Sequence, residues 1–344
     1  MLPAVFSVFI DQSAMDTAAQ VHIVTRLHGI GGAETHSFDL ANALREWGIP
    51  TTLWSDTPSP YVAHFGGTAI SPFNGVFPRG GTLILVGTYF GVEPWIDHVR
   101  PDRLVLICVN SHPQQLYATL AMLDRPTLPK VNVAFVSTRL QDTMEIPGYI
   151  CPEIVDLVRF RPPAPRKYGN TSITIGRLSR DIPDKHHPED PSLYKMFGWH
   201  GLRTRIMGGT CLAENFIDEP SIELLRINQE SPEAFLRTLD LFFYRTSPQL
   251  NEASGRVVVE ALACGLPIVA HKSGGYTDWI RQGENGYIFS TQEEAFNIVM
   301  ELANDAELRQ AMSVNARQSA EKIAGRKARS DYFQWLTARG DISA

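Results

Sequence analysis

Short apolar runs alternate with amphipathic stretches along the chain, the pattern of parallel βαβ units. Val21–Leu27 reads as a strand, followed by a glycine-rich loop and a helix over Glu34–Trp47. Further strands are expected at Thr51–Trp54, Thr82–Val86, Leu104–Val109 and Val133–Val136. The proline-dense stretch Arg161–Arg166 interrupts the alternation and reads as a linker. Beyond it the pattern restarts with Ser172–Ile175, Arg203–Met207, Leu241–Tyr244 and Pro267–Ala270. Helices fill the gaps and the tail from Glu293 onward.

The expected fold class is α/β, with two doubly wound Rossmann-like domains facing across a cleft. A chain of 344 residues, 44% hydrophobic, holds more than one core usually accommodates. Residues 21–160 and 161–325 make the two domains, residues 1–20 an N-terminal extension, and 326–344 a C-terminal helix able to pack back on the first domain. Ligands in such sheets bind beyond the carboxyl ends of the strands, so two facing edges suit a two-substrate reaction. In the extension, Leu2–Ile10 is apolar but lacks a basic flank and is too short to span a bilayer. An extra strand, a mobile leader and a partner-binding segment all remain open for it.

Charge narrows the partners. Residues 1–160 hold 9 Lys/Arg against 14 Asp/Glu, and the remainder 22 against 23. Neither half is a polycation, which argues against nucleic acid and against electrostatic docking on anionic lipid. Cys108, Cys151, Cys211 and Cys264 lie far apart, without a CxxC pair or zinc-like spacing, as expected of reduced cysteines in a cytoplasmic protein. His186-His187 completes no metal site and reads as a solvated loop.

Chemistry concentrates in Asn251–Pro267. The strand Leu241–Tyr244 leads through a loop into a helix whose first turn lies near Gly255, with Ser254 as the N-cap. Gly265 and Pro267 stop that helix. Free amides at Gly255, Arg256 and Val257 suit a diphosphate, in the field of the helix dipole. Glu252, on the loop, can accept from sugar hydroxyls, and Glu260, a turn inside the helix, can reach a ribose diol. The bland alternative is a capping Glu252 and a solvated Glu260. Against it, Glu260 stands between Val257–Val259 and Ala261–Ala263, where a carboxylate has little room and needs a partner.

Glu252 and Glu260 form an E-x7-E pair, flanked by Ala263-Cys264-Gly265-Leu266-Pro267 and Gly274-Gly275. This text resembles the signature of retaining glycosyltransferases of the GT-B fold, the GT4-like family. The resemblance covers roughly residues 20–340, strongly over 240–290. It implies that Glu252 contacts the donor sugar and Glu260 the nucleotide ribose, with Ala253, Ser254, Gly255, Arg256 and Val257 around the donor. Ile175-Gly176-Arg177-Leu178-Ser179 resembles the family's phosphate loop, which makes Arg177 and Lys185 the clamp on the diphosphate. The interval to Lys185 exceeds the family's usual five-residue step. Gly31-Gly32 resembles the loop that approaches the donor, and His112 the histidine beside the donor sugar, although a histidine before Pro113 serves equally as an ordinary loop residue. Glu153-Ile154 stands where the family's domain linker usually has Asn-Gly.

The resemblance further implies a metal-independent reaction on a nucleoside diphosphate sugar, UDP- or GDP-linked. The acceptor is then a carbohydrate or glycolipid, in bacterial polysaccharide, lipopolysaccharide or glycoconjugate synthesis. The setting is the cytoplasm, with the inner membrane face as a further place of work. A sugar-nucleotide 2-epimerase of the same fold and a nucleotide-sugar-binding protein without transfer are the alternatives. A nicotinamide-dependent dehydrogenase is disfavoured, because no G-x-G-x-x-G with a suitably placed acid follows a strand.

Overall fold

The computed structural model describes residues 20–29, 31–88, 95–164 and 172–338. The N-terminal extension up to residue 19, Ile30 of the first glycine loop, Arg166 of the linker and the last six residues of the tail lie outside them.

The first sheet contains β1 (Val21–Thr25), β2 (Thr51–Ser55), β3 (Thr68–Ala69), β4 (Thr82–Val86), β5 (Arg103–Cys108), β6 (Val131–Phe135) and β7 (Tyr149–Ile150). The second contains β8 (Thr174–Leu178), β9 (Arg203–Met207), β10 (Ile222–Leu225), β11 (Leu241–Tyr244), β12 (Ile268–His271) and β13 (Gly286–Phe289). Their orders are β3-β2-β1-β4-β5-β6-β7 and β10-β9-β8-β11-β12-β13, and the pairings are parallel. Both orders reverse direction at a central pair, β1/β4 and β8/β11, the switch points at which such sheets open a crevice. β1, β4, β5, β8 and β11 are buried at every position, since helices cover both faces.

Several boundaries differ from expectation for local reasons. β1 stops at Thr25 because Arg26 turns to Asp56 at 2.8 Å and the Leu27 amide donates to Ser55 Oγ at 3.3 Å. β10 escaped the apolar pattern because Glu223 interrupts it. It is an edge strand, and Glu223 pairs at 2.7 Å with its register partner Arg205 on β9. β13 was also unforeseen, and β8 begins two residues later than the expected strand.

The last helix, Arg326–Thr337, buries Tyr332, Phe333, Trp335 and Leu336 in the core of the first domain. Trp335 stacks on Tyr149 at 4.4 Å, and Phe333 meets the edge of Trp47 at 5.4 Å. This helix therefore returns from the second domain to pack on the first. Among the described residues, no helix is long and apolar enough to cross a membrane.

Candidate active site

β11 ends at Tyr244, and the loop after it carries Glu252 to the helix Arg256–Ala263. Gly255 is the N-cap, at φ 73° and ψ 48°, in the left-handed region that glycine tolerates best. A Cβ there would also lie 2.7 Å from the Tyr276 ring. The expected N-cap, Ser254, is thus displaced by one residue. Its hydroxyl donates instead to Glu153, the linker residue that departs from the family pattern. Val258 N closes the first turn on Gly255 O at 2.8 Å, and the amides before it, at Gly255, Arg256 and Val257, make no backbone hydrogen bond among the described residues, as an anion site requires.

Glu252 Oε2 accepts from Lys185 Nζ and, at 3.0 Å, from Tyr244 Oη. The long interval before Lys185 is taken up by a 3₁₀ turn, Pro183–Lys185, that docks through Ser247 N on Asp184 O at 3.1 Å. Burial lowers the Lys185 pKa, and the Glu252 charge acts in the opposite direction. The fold therefore brings together two residues, Lys185 and Glu252, that the sequence offered as separate contacts.

Arg177 occupies a different place from the one the resemblance gives it. It is 0% exposed, and its guanidinium donates to the backbone carbonyls of Arg245 and Lys185. It also lies 4.7 Å from the centre of the Tyr244 ring. The cause is its position within β8, a strand with no exposed residue. The side chain thus ties the Lys185 turn to the end of β11 from beneath, and the exposed cation on that loop is Arg180.

Glu260 finds the partner that burial demands. Arg256 Nε donates to Glu260 Oε1 at 2.9 Å, and Arg256 Nη2 to Asp39 Oδ2 at 2.5 Å on the first domain's helix Gly32–Glu46. Burial raises the carboxyl pKa values of Glu260, Glu153 and Asp39, while the Arg256 charge acts to lower all three. Val257 packs against the apolar core behind the helix.

The first domain meets this loop along its own strand ends. Gly31 is the N-cap of Gly32–Glu46, and a Cβ on it would lie 2.7 Å from Glu34 Oε2. His112 is exposed and caps the helix Pro113–Leu123, beside Ser111, whose Oγ donates to Asn251 O at 3.3 Å. Ser137 Oγ donates to Ala253 O at 2.5 Å, and Asp278 accepts from Thr138 N at 2.6 Å. His186 is not in a solvated loop. It is 3% exposed, bonded to Gly208 O at 2.9 Å, with a pKa lowered to about 4 by burial first and by the Arg177 charge second.

Tyr244, Asp39 and Ser137 were missed by sequence reasoning. Tyr244 ends an apolar strand and reads as core, Asp39 meets Arg256 only across the domains, and Ser137 reads as a helix N-cap, although its hydroxyl also reaches Ala253 on the other domain. Among the described residues, no group of three or more His, Cys, Asp or Glu side chains is arranged to hold a metal ion.

Comparison with known proteins bears on this arrangement. Residues 217–319 match the family model Glycosyl transferases group 1, which spans the Glu252 loop and its helix. In structure, HepE of Anabaena in complex with UDP-glucose superposes with a TM-score of 0.70 at 14% identity, covering 93% of this chain and all (100%) of that one. WaaG, a glycosyltransferase involved in lipopolysaccharide biosynthesis, superposes at 0.65 with 13% identity over 92% of this chain and 100% of that one. The chain has the GT-B fold of glycosyltransferases. The Lys185–Glu252 pair stands beyond the carboxyl ends of β8 and β11, on the side where Ser111 and Ser137 of the first domain meet the Glu252 loop. In sequence, the capsular polysaccharide biosynthesis glycosyltransferase CapM of Staphylococcus aureus is 26% identical over 166 residues, 44% of this chain and 42% of that protein. The sulfoquinovosyl transferase SQD2 of Arabidopsis thaliana is 35% identical over 86 residues, 24% of this chain and 17% of that protein. These alignments span less than half the length of either relative.

Proposed function

We propose that the protein is a retaining, GT4-like glycosyltransferase of the hexosyltransferase type. It moves a sugar from a nucleoside diphosphate sugar to the hydroxyl of a carbohydrate or glycolipid acceptor. The observation that carries this is the meeting of Glu252, Lys185 and Tyr244 beside the first turn of Arg256–Ala263. A carboxylate for sugar hydroxyls, a cation for phosphate and open helix amides stand together where a donor's sugar and diphosphate adjoin. The UDP-glucose held by HepE supports a uridine nucleotide as the first donor to test.

In this mechanism the diphosphate lies on the amides of Gly255, Arg256 and Val257, with Lys185 against its charge. Glu252 holds the sugar, and Glu260 takes the ribose diol in place of part of its bond to Arg256. Gly31 and Gly32 bring backbone close to the donor from the first domain, and His112 faces the sugar. The acceptor oxygen attacks the anomeric carbon on the face from which the phosphate leaves. Its bond forms as the carbon–phosphate oxygen bond breaks, and the acceptor proton passes to the departing phosphate. Preorganised positive charge supplies most of the acceleration, with Lys185 and the amides in the role a metal ion plays elsewhere. Residues 21–160 then form the acceptor side and 161–325 the donor side. The CapM likeness supports bacterial polysaccharide synthesis, which this reading sets in the cytoplasm or at the inner membrane face.

A panel of UDP- and GDP-sugars, scored for nucleotide release with and without glycan acceptors, tests this. Glu252→Ala is expected to abolish transfer while UDP still binds in titration. Unchanged turnover in that variant sinks the assignment. An epimerised donor formed without any acceptor replaces it with the 2-epimerase.

A further inference from the structure

Both protein contacts to the Glu252 carboxylate fall on one oxygen. Lys185 Nζ and Tyr244 Oη donate to Oε2, while Oε1 has no hydrogen bond among the described residues and is not sealed from solvent. Tyr244 has little freedom to be anywhere else. It is 2% exposed, its ring meets the edge of Tyr276 at 5.1 Å, and the Arg177 guanidinium lies 4.7 Å away over its face. Tyr276 in turn fills the space that a side chain at Gly255 or Gly274 would need, at 2.7 and 2.0 Å. A rigid aromatic pair thus connects the carboxylate to the helix start and the glycine loop.

A lysine alone does not fix a carboxylate. The ammonium is a point charge with three rotatable donors, so either oxygen, or both, can face it. A phenol on a packed ring donates along one direction. We propose that Tyr244 is a positioning residue that pins Glu252 Oε2 and so presents Oε1 to a hydroxyl of the transferred sugar. Burial keeps the phenol protonated by raising its pKa well above the usual tyrosine range, so it remains a donor throughout the neutral range. The inference rests on the donor assignment above, and it assigns sugar recognition, not nucleotide binding, to the phenol.

The test is Tyr244→Phe, which keeps the ring and removes the donor. Expected are a loss of about tenfold in kcat/KM for the nucleotide sugar that the donor panel selects, and UDP affinity within about twofold of wild type. A general structural role would weaken UDP and the sugar nucleotide together, and that result overturns the inference. Wild-type kcat/KM in Tyr244→Phe overturns it too, while leaving the donor assignment intact. If no UDP- or GDP-sugar binds the wild-type protein more tightly than the bare nucleotide, both fall. An independent reading comes from the isotope-edited infrared carboxylate band of Glu252 in the free protein. It is expected to shift in Tyr244→Phe, and an unmoved band refutes the pinning whatever the donor. Where Tyr244→Phe fails to fold, 3-fluorotyrosine at position 244 retains the ring and changes only donor strength, and the same band must move.

Discussion

Arg256 and Asp39 stand 217 residues apart in sequence and meet across the two domains at 2.5 Å. The same guanidinium bonds to Glu260 at 2.9 Å on its own helix and acts electrostatically on the buried Glu153. One cation therefore serves three carboxylates, two on the donor side or linker and one on the acceptor side.

The weights of these contacts differ, because their burial differs. The Asp39 side chain is 29% exposed, and water can replace its partner when the domains part. Asp39→Asn is expected to cost about 1 kcal/mol in denaturant unfolding. Its clearer effect is a wider domain separation in solution scattering. Arg256→Met leaves Glu260 and Glu153 buried without their cation, a loss of about 3–5 kcal/mol. Equal losses in the two variants would contradict the central place of Arg256.

His36 lies one turn before Asp39 and gives the same region a pH dependence. It is fully buried and its pKa is lowered to about 4, by burial first and by the Arg256 charge second. The unfolded chain therefore binds a proton at His36 before the folded one does. Stability from this group is present above pH 6.5 and is lost as pH falls toward about 4. Glu153, Glu260 and Asp39, with raised values, act in the opposite sense, since the folded state holds their protons more tightly. The difference in unfolding free energy between wild type and His36→Asn isolates the histidine. It is expected to shift against wild type between pH 7 and 4, by up to about 3 kcal/mol. A difference independent of pH would exclude a neutral His36.

Much of this site was legible in the chain. Glu252 and Glu260 stood out because a carboxylate beside Val257–Val259 and Ala261–Ala263 needs a reason. The strands β4 and β11 lay where apolar runs put them, since strands buried on both faces leave a continuous signature. What pattern cannot show is which side chain closes a given charge. Lys185 was one of two candidate cations, and only the 3₁₀ turn decides that it, and not Arg177, reaches Glu252. Asp39 lies within the helix Gly32–Glu46, and Ser137 reads locally as the N-cap of Thr138–Met144. Nothing local marks their second role, because their partners Arg256 and Ala253 lie on the other domain.

Lys185 should prove irreplaceable by size or charge alone. Its side chain is 11% exposed against a Glu252 that is 15% exposed, so Ala leaves the carboxylate with Tyr244 as its one donor. Lys185→Ala is expected to lower transfer by about 100-fold or more, on the scale of other charge-stabilising groups. Lys185→Arg restores charge but brings a planar fork into a tight turn, and should recover less than about a tenth of the rate. Steady-state kinetics with saturating donor checks both. Full activity in Lys185→Arg would show that charge alone suffices.

The joint between the domains is most sharply tested at Gly275. A Cβ there would fall 1.9 Å from Ala253 O and 2.5 Å from Ser137 Oγ, the two atoms that form the interdomain hydrogen bond. The Gly275 amide also holds Glu252 O at 2.9 Å, so the loop cannot back away without releasing the residue assigned to the sugar. Gly275→Ala therefore forces a choice between losing the contact to Ser137 and moving Glu252. Overpacking of this kind costs about 1–3 kcal/mol. Ser137→Ala removes the same hydrogen bond without adding volume, and also the Leu140 cap on the helix Thr138–Met144, at about 1 kcal/mol. The two variants are expected to be similarly stable, yet only Gly275→Ala should lose most transfer activity. Comparable activity in both would mean that the Glu252 loop tolerates the shift, and that its backbone position is not what the glycine protects.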